Sequence, residues 1–256
     1  MDLPAQLLAS LRSQDLPLPS HNWLAALITA RTPPPPLASL IATARARLLA
    51  SDLTTRDLLD AAYASSRSFP PEAVAGADVR EFRLPRDVLV QVLDLEDVSR
   101  SRWEQVEELE AIERGEQTRG RQVIRLPVGG EEEDGEGAGS QQQQQQHQQQ
   151  RSQGPGAVAS GAAAAKKATH KLVLQDAKGQ KIFGLELKRI EKIAIGTTNI
   201  GEKILLKSGT VVARGVIMLE PSTCIFLGGK VDAWQKPWLE GRLTRLRDAV
   251  QANGPG

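Results

Sequence analysis

The 256-residue chain carries 32 basic and 31 acidic side chains and a single cysteine, Cys224, which excludes an internal disulfide framework and fits a reducing compartment. Its charge is unevenly spread: residues 1–150 hold 15 Arg, no Lys and 23 Asp or Glu, whereas residues 151–256 hold 17 basic and 8 acidic groups. The N-terminus MDLPAQLLASLRSQ lacks the basic and long apolar regions of a secretory signal, and no stretch approaches the roughly 18 apolar residues of a membrane span, so a soluble intracellular chain is expected. The charge asymmetry fits a polyanion or an acidic partner surface meeting the C-terminal part, or simply two solvated surfaces.

Taken in chain order, residues 2–64 read as short amphipathic helices. LPAQLLASLR places Leu3, Leu7, Leu8 and Leu11 on one face; in SHNWLAALITA, Ser20 is positioned to cap and Trp23, Leu24, Leu27 and Ile28 form a stripe read as core. Pro33 to Pro36 stop that helix, because proline lacks the N–H and restricts the residue before it. LASLIATARARLLA follows with Leu37, Leu40, Ile41 and Leu48, and TTRDLLDAAYA sets Thr54 and Asp57 at capping-box spacing. Together these predict a small helical bundle over residues 1–68.

The period then changes. DVLVQVLDLEDV alternates as a strand over 88–95, and SRSRWEQVEELEAIERGE predicts a helix with Trp103, Val106, Leu109 and Ile112 on one side. RQVIRLPV (121–128) reads as a short strand. Acidic, glutamine, glycine and alanine tracts fill 129–165, a composition with too little apolar surface to offset the entropy of ordering. Strands are then predicted at 171–176, 181–187, 202–207, 211–219 and 224–227, with a helical turn at RIEKIAI. Pro237 suits the first turn of a final helix that buries Leu239, Leu243, Leu246 and Val250.

The fold class predicted is α+β: the bundle, then a small closed OB-fold β-barrel over 80–250. The strand at 88–95 is needed to close that barrel, so residues 97–169 form an insertion between its first and second strands and not a linker between domains. Such an insertion is tolerable because loop closure costs grow slowly with length. The glutamine tract is read as a bystander within it.

Catalytic readings find no support. His21, His147 and His170 are scattered and none pairs with Cys224 at metal-ligand spacing; LGGKVDAW lacks the Ser or Thr and the first glycine of a P-loop; and the five carboxylates of GGEEEDGEGAG would repel phosphate. No catalytic residue, cofactor or metal is expected.

LVQVLDLEDVSRS (89–101), ERGEQTRGRQVIRL (113–126), HKLVLQDAKGQKIFGLELKRI (170–190) and GEKILLKSGTVVARGVIMLEPSTCIFLGGKVDAW (201–234) resemble the RecQ-mediated genome instability protein 1 family. The likeness runs from about residue 80 to 250, with a looser match in the leading helices. It implies a non-enzymatic OB-fold protein of the nucleus, acting in DNA repair, replication and homologous recombination. Such proteins bind topoisomerase III, a type IA enzyme, and a RecQ-type helicase, and promote double Holliday junction dissolution and decatenation. The resemblance also implies that the loop between the first two barrel strands reaches the topoisomerase gate. The chain ends soon after the barrel, so the second, C-terminal OB-fold of longer animal members is expected to be missing.

On that reading Trp103, Val106, Leu109, Ile112, Arg121, Val123, Ile124 and Lys203 are the candidate topoisomerase contacts. The alternatives are a helix packed on its own barrel and, for Lys203, a solvated strand-edge lysine. Lys178, Lys181, Lys188 and Arg189 are candidate DNA contacts, with Lys192, Lys207 and Arg214 near the same groove. Phe183 and Phe226 are read as core, so DNA contact is expected to be weak and salt-sensitive. The alternative function is a single-stranded-DNA-binding OB-fold module, for which Trp234 and Trp238 would be the stacking residues.

Overall fold

The computed structural model describes residues 2–116 and 168–252. Helix α1 (Leu3–Ser13) is capped by Asp2, whose carboxylate accepts from the Ala5 N–H at 3.3 Å. Helix α2 (His21–Thr29) is capped by Ser20, as the sequence predicts, with the Trp23 N–H donating to Ser20 Oγ at 3.2 Å. Helix α3 (Leu37–Ala50) follows the proline run. The stripes Leu7/Leu11, Leu24/Leu27 and Leu40/Ala44/Leu48 converge in one core. The expected start at Thr54 is displaced. Asp52 takes up the Thr54 N–H and hydroxyl at 2.9 and 2.8 Å, and Asp57 turns left-handed at φ 59°. Helix α4 (Ala61–Ser66) therefore begins after Asp60, which accepts from the Tyr63 N–H at 2.8 Å. A short α5 (Pro71–Val74) leads to the sheet.

The strands are β1 (Phe82–Arg83), β2 (Val88–Asp97), β3 (His170–Asp176), β4 (Lys181–Glu186), β5 (Lys203–Leu206), β6 (Val211–Ala213), β7 (Val216–Leu219) and β8 (Cys224–Gly228). Their order is β1-β6-β7-β4-β3-β2-β5-β8, antiparallel except where β4 meets β7. Among the described residues the ladder is open at β1 and β8, so this OB-fold curls into a half-barrel and does not close as expected. The single strand predicted at 211–219 is a hairpin. Arg214 and Gly215 sit at φ 48° and 75°, the pair of positive values a tight two-residue turn requires.

Strands β2 and β3 pair from Val90↔Asp176 to Asp97↔His170, and beyond that pair the Val98 N–H donates to Thr169 O at 2.8 Å. The insertion thus leaves from a hydrogen-bonded neck inside the OB-fold, as the sequence predicts. The 129–165 tracts and the strand expected at 121–128 lie outside the described residues.

Inside the curl, Val88, Val90, Val92, Leu172, Leu174, Ile204, Leu206 and Ile217 form the main core. Strands β2 and β5 are buried on both faces, because Leu89 and Leu205 point the other way into the helical core. A polar seam lies beside them. Gln91 Nε2 donates to Asp52 Oδ1 at 2.6 Å and to Gln175 Oε1 at 3.1 Å, and Gln91 Oε1 accepts from the Leu53 N–H at 2.9 Å. Bundle and half-barrel are therefore packed as one body.

Helices α7 (Asp232–Glu240) and α8 (Arg242–Ala252) end the described chain. Pro237 lies inside α7 and not in its first turn, and the break comes at Gly241. Leu243 and Leu246 are buried and Val250 packs beside them, but Leu239 is exposed, since it belongs to the separate helix α7.

Candidate partner-binding site

Helix α6 (Arg102–Glu113) rises from the neck. Its start is over-determined: Ser101 Oγ accepts from the Glu104 N–H at 3.1 Å, and Glu104 Oε2 accepts from the Ser101 N–H at 2.9 Å. Gln105 is buried, donating to Asp97 O at 2.9 Å and accepting from Arg242 at 3.2 Å. One side of α6 packs Val106 and Leu109 on Leu243, Leu246 and Val250 of α8, and Arg247 clamps Glu110 at 2.8 Å.

The four residues expected on one side are split between the two. Each step of three residues falls about 60° short of a full turn, so Trp103, Val106, Leu109 and Ile112 spiral halfway round the helix. Val106, expected to meet a partner, is only 3% exposed and is satisfied within the chain; Leu109 and Ile112 are half-buried. Trp103 alone stands clear at 58% exposure. Its neighbours on this open helix surface are Arg100, Glu104, Glu107, Glu108 and Arg114. Arg121, Val123 and Ile124 lie outside the described residues.

Lys203 is corrected on both readings. It is neither a contact nor an edge residue, because β5 is paired on both sides and the side chain is fully buried, with Nζ donating to Gly201 O at 2.6 Å. Burial pushes its pKa down to about 8, with the Asp52 carboxylate pulling the other way.

The expected DNA contacts divide in the same way. Lys178, Lys181 and Lys188 are exposed, Lys188 being paired with Glu220 at 3.2 Å. Arg189 turns inward and joins a cluster that sequence reasoning missed. It donates to Glu186 at 2.9 Å, while Glu186 Oε2 accepts the His170 N–H at 2.8 Å and lies 2.6 Å from the His170 ring. Burial raises the Glu186 pKa, but the bonds from His170, Ile190 and Arg189 outweigh it and hold the carboxyl below its ordinary value. Only the pairing of β3 with β4 brings these residues together, and no spacing in the sequence signals it.

Trp238, a proposed stacking residue, is buried with its Nε1 donating to Asp94 Oδ1 at 2.7 Å, and Trp234 packs partly into the main core. Phe183, expected in the core, is 50% exposed. The strand alternation decides this: Ile182, Gly184 and Glu186 face inward, so Phe183 faces out.

A helical bundle packed on an OB-fold half-barrel, with a segment inserted at the β2–β3 neck and an exposed tryptophan beside it, defines an OB-fold module. The family model described as the RMI1 N-terminal OB-fold domain matches residues 66–242, and that of the RMI1 N-terminal helical domain matches residues 11–55. The chain belongs to the RMI1 family. It is 32% identical over 163 residues to the RecQ-mediated genome instability protein 1 of Schizosaccharomyces pombe, covering 63% of this chain and 63% of that protein. It is 35% identical over 95 residues to the protein of the same name from Saccharomyces cerevisiae, covering 34% of this chain and 38% of that one. The matched region thus spans less than two thirds of either relative.

Proposed function

We propose that this chain is a non-catalytic scaffold of genome maintenance in the nucleus, binding topoisomerase III and a RecQ-type helicase and stimulating decatenation and double Holliday junction dissolution. Family membership supports the genome-maintenance role. The observation that carries the mode of action is the neck: Val98 and Thr169 are hydrogen-bonded, so a long insertion can be held over an open topoisomerase gate without disturbing the sheet. Trp103, rigidly mounted on a doubly anchored helix, is the contact we assign to the topoisomerase. By favouring the open gate, such a contact shifts the balance toward strand passage with no chemistry of its own.

The test is gel filtration with topoisomerase III of the same organism at low and high salt, together with a decatenation assay. Co-elution that survives high salt is expected, and Trp103→Ala should weaken it roughly tenfold or more. Replacing residues 117–167 with a short Gly/Ser linker keeps α6 and the neck. If decatenation remains fully stimulated by that variant and by Trp103→Ala, the proposal fails.

A further inference from the structure

The outward face of this sheet is apolar at both ends, and among the described residues only one of them is covered. Leu89 and Leu205, on β2 and β5, are sealed by the helical bundle. On β3, β4 and β7 the outward apolar residues are Val173, Phe183, Leu185, Val216 and Met218, all half-buried or exposed, sharing the face with Lys171, Gln175 and Lys181 and with Leu187 exposed just beyond β4. The register makes them one surface. Val173 lies opposite Phe183 and Phe183 opposite Val216, and Leu185 lies opposite Met218. An antiparallel sheet face left to water normally alternates to polar residues, and a contiguous apolar patch on such a face marks an interaction site.

The rim is mostly basic, its acids Glu96 and Glu220 being paired with Lys171 and Lys188. Lys178 and Lys181 stand at one end, and the β4–β7 register carries the exposed Arg214 to the level of Lys181. None of the three forms an ion pair among the described residues. At the other end Lys171 lies 5.5 Å from the centre of the Phe183 ring and 2.8 Å from Glu96. Glu96 is shared with Arg102 at 2.7 Å, which leaves that trio with an excess positive charge and makes the face continuous with the start of α6.

We infer that this face docks an amphipathic helix of a partner protein, apolar on one side and flanked by acidic residues. Strand addition is excluded, because β3, β4 and β7 each have a hydrogen-bonded neighbour on both sides. The occupant must therefore lie face-on, as a helix presenting anchors at i, i+3, i+4 and i+7 does. Phe183 is the sole aromatic among the outward anchors, and aliphatic neighbours such as Val173 and Leu185 offer no stacking platform for bases. That favours protein over nucleic acid. Met218, unbranched and adaptable, suits such a contact.

The experiment records amide spectra of the nitrogen-15-labelled full chain with two synthetic peptides of about four helical turns. Both carry the same leucine stripe; one is flanked by glutamates, its twin by lysines. The acidic peptide is expected to shift amides of β3, β4 and β7, more weakly as salt rises. Phe183→Ala should lower its affinity about tenfold. Lys178→Glu with Lys181→Glu, a purely surface change, should lower it likewise while leaving the rest of the spectrum in place. Equal binding of the basic twin, shifts confined to other elements, or no shift at millimolar peptide overturns the inference. So does an oligothymidylate that produces the same shifts at lower concentration than the peptide. Because no topoisomerase is present, the outcome is separate from that of the proposed function.

Discussion

At the scale of single residues, two buried ionisable groups behave in opposite ways. Lys203 has a folded-state pKa of about 8, below its ordinary 10.5. The penalty is fully present below the folded value and fades as pH rises toward the unfolded one, so stability contributed by this group increases between those limits. Urea unfolding of Lys203→Met is expected to show this slope abolished and stability at neutral pH unchanged or raised by up to about 2 kcal/mol. Glu186 is opposite in origin, because the fold favours its charged form, although its contribution also grows as pH rises. Its folded pKa is depressed below 4.5. Its contribution is complete above the ordinary carboxylate range and is lost as pH falls through the folded value. Glu186→Ala leaves the His170 and Ile190 N–H groups without their acceptor and Arg189 with carbonyl partners but no counter-charge, and should cost about 3 kcal/mol by denaturant titration at neutral pH.

At the scale of elements, glycine and helix packing dominate. The β6–β7 turn needs Gly215, where a Cβ would come within 2.9 Å of Gly76 Cα at a φ of 75°. Gly215→Ala should destabilise by roughly 1–3 kcal/mol, read as a lowered Tm, through both backbone strain and the clash. Helix α6 depends on a small satellite core of Val106 with Leu243 and Leu246. Leu246→Ala is therefore expected to speed amide exchange in α6 and α8 while β2 and β5 keep their protection, since local stability follows local burial. If β2 exchanges equally fast, α6 is not a separate unit.

At the scale of the whole molecule, bundle and half-barrel share an apolar contact, Leu89 and Leu205 against the helices, and a polar seam at Gln91 and Asp52. Gly229 adds a close approach: a Cβ there would lie 2.3 Å from Leu49 O, so only glycine lets β8 run past the end of α3. A single cooperative thermal transition is expected for both parts. Leu205→Ala should lower it by the equivalent of about 2–5 kcal/mol, the usual cost of a buried leucine cavity. Two separated transitions in calorimetry of the unmodified chain would show instead that the seam holds the parts only weakly.

Much of this architecture is legible in the chain itself. Periods near 3.6 and of 2 separate helices from strands, Ser20 and the proline run set helix ends, and the need to complete a sheet assigns residues 97–169 to an insertion. These features are local or depend on counting elements. What tertiary structure alone decides is which side of each element is already used. Val106 was readable as apolar, but only the packing of α8 against α6 shows that it is spent inside, leaving Trp103 exposed. Lys203 reads as a surface cation until β5 is seen paired on both sides, and Phe183 reads as core until its register places Ile182 and Gly184 inward. Periodicity says that a face is apolar; only the three-dimensional neighbours say whether that face is covered.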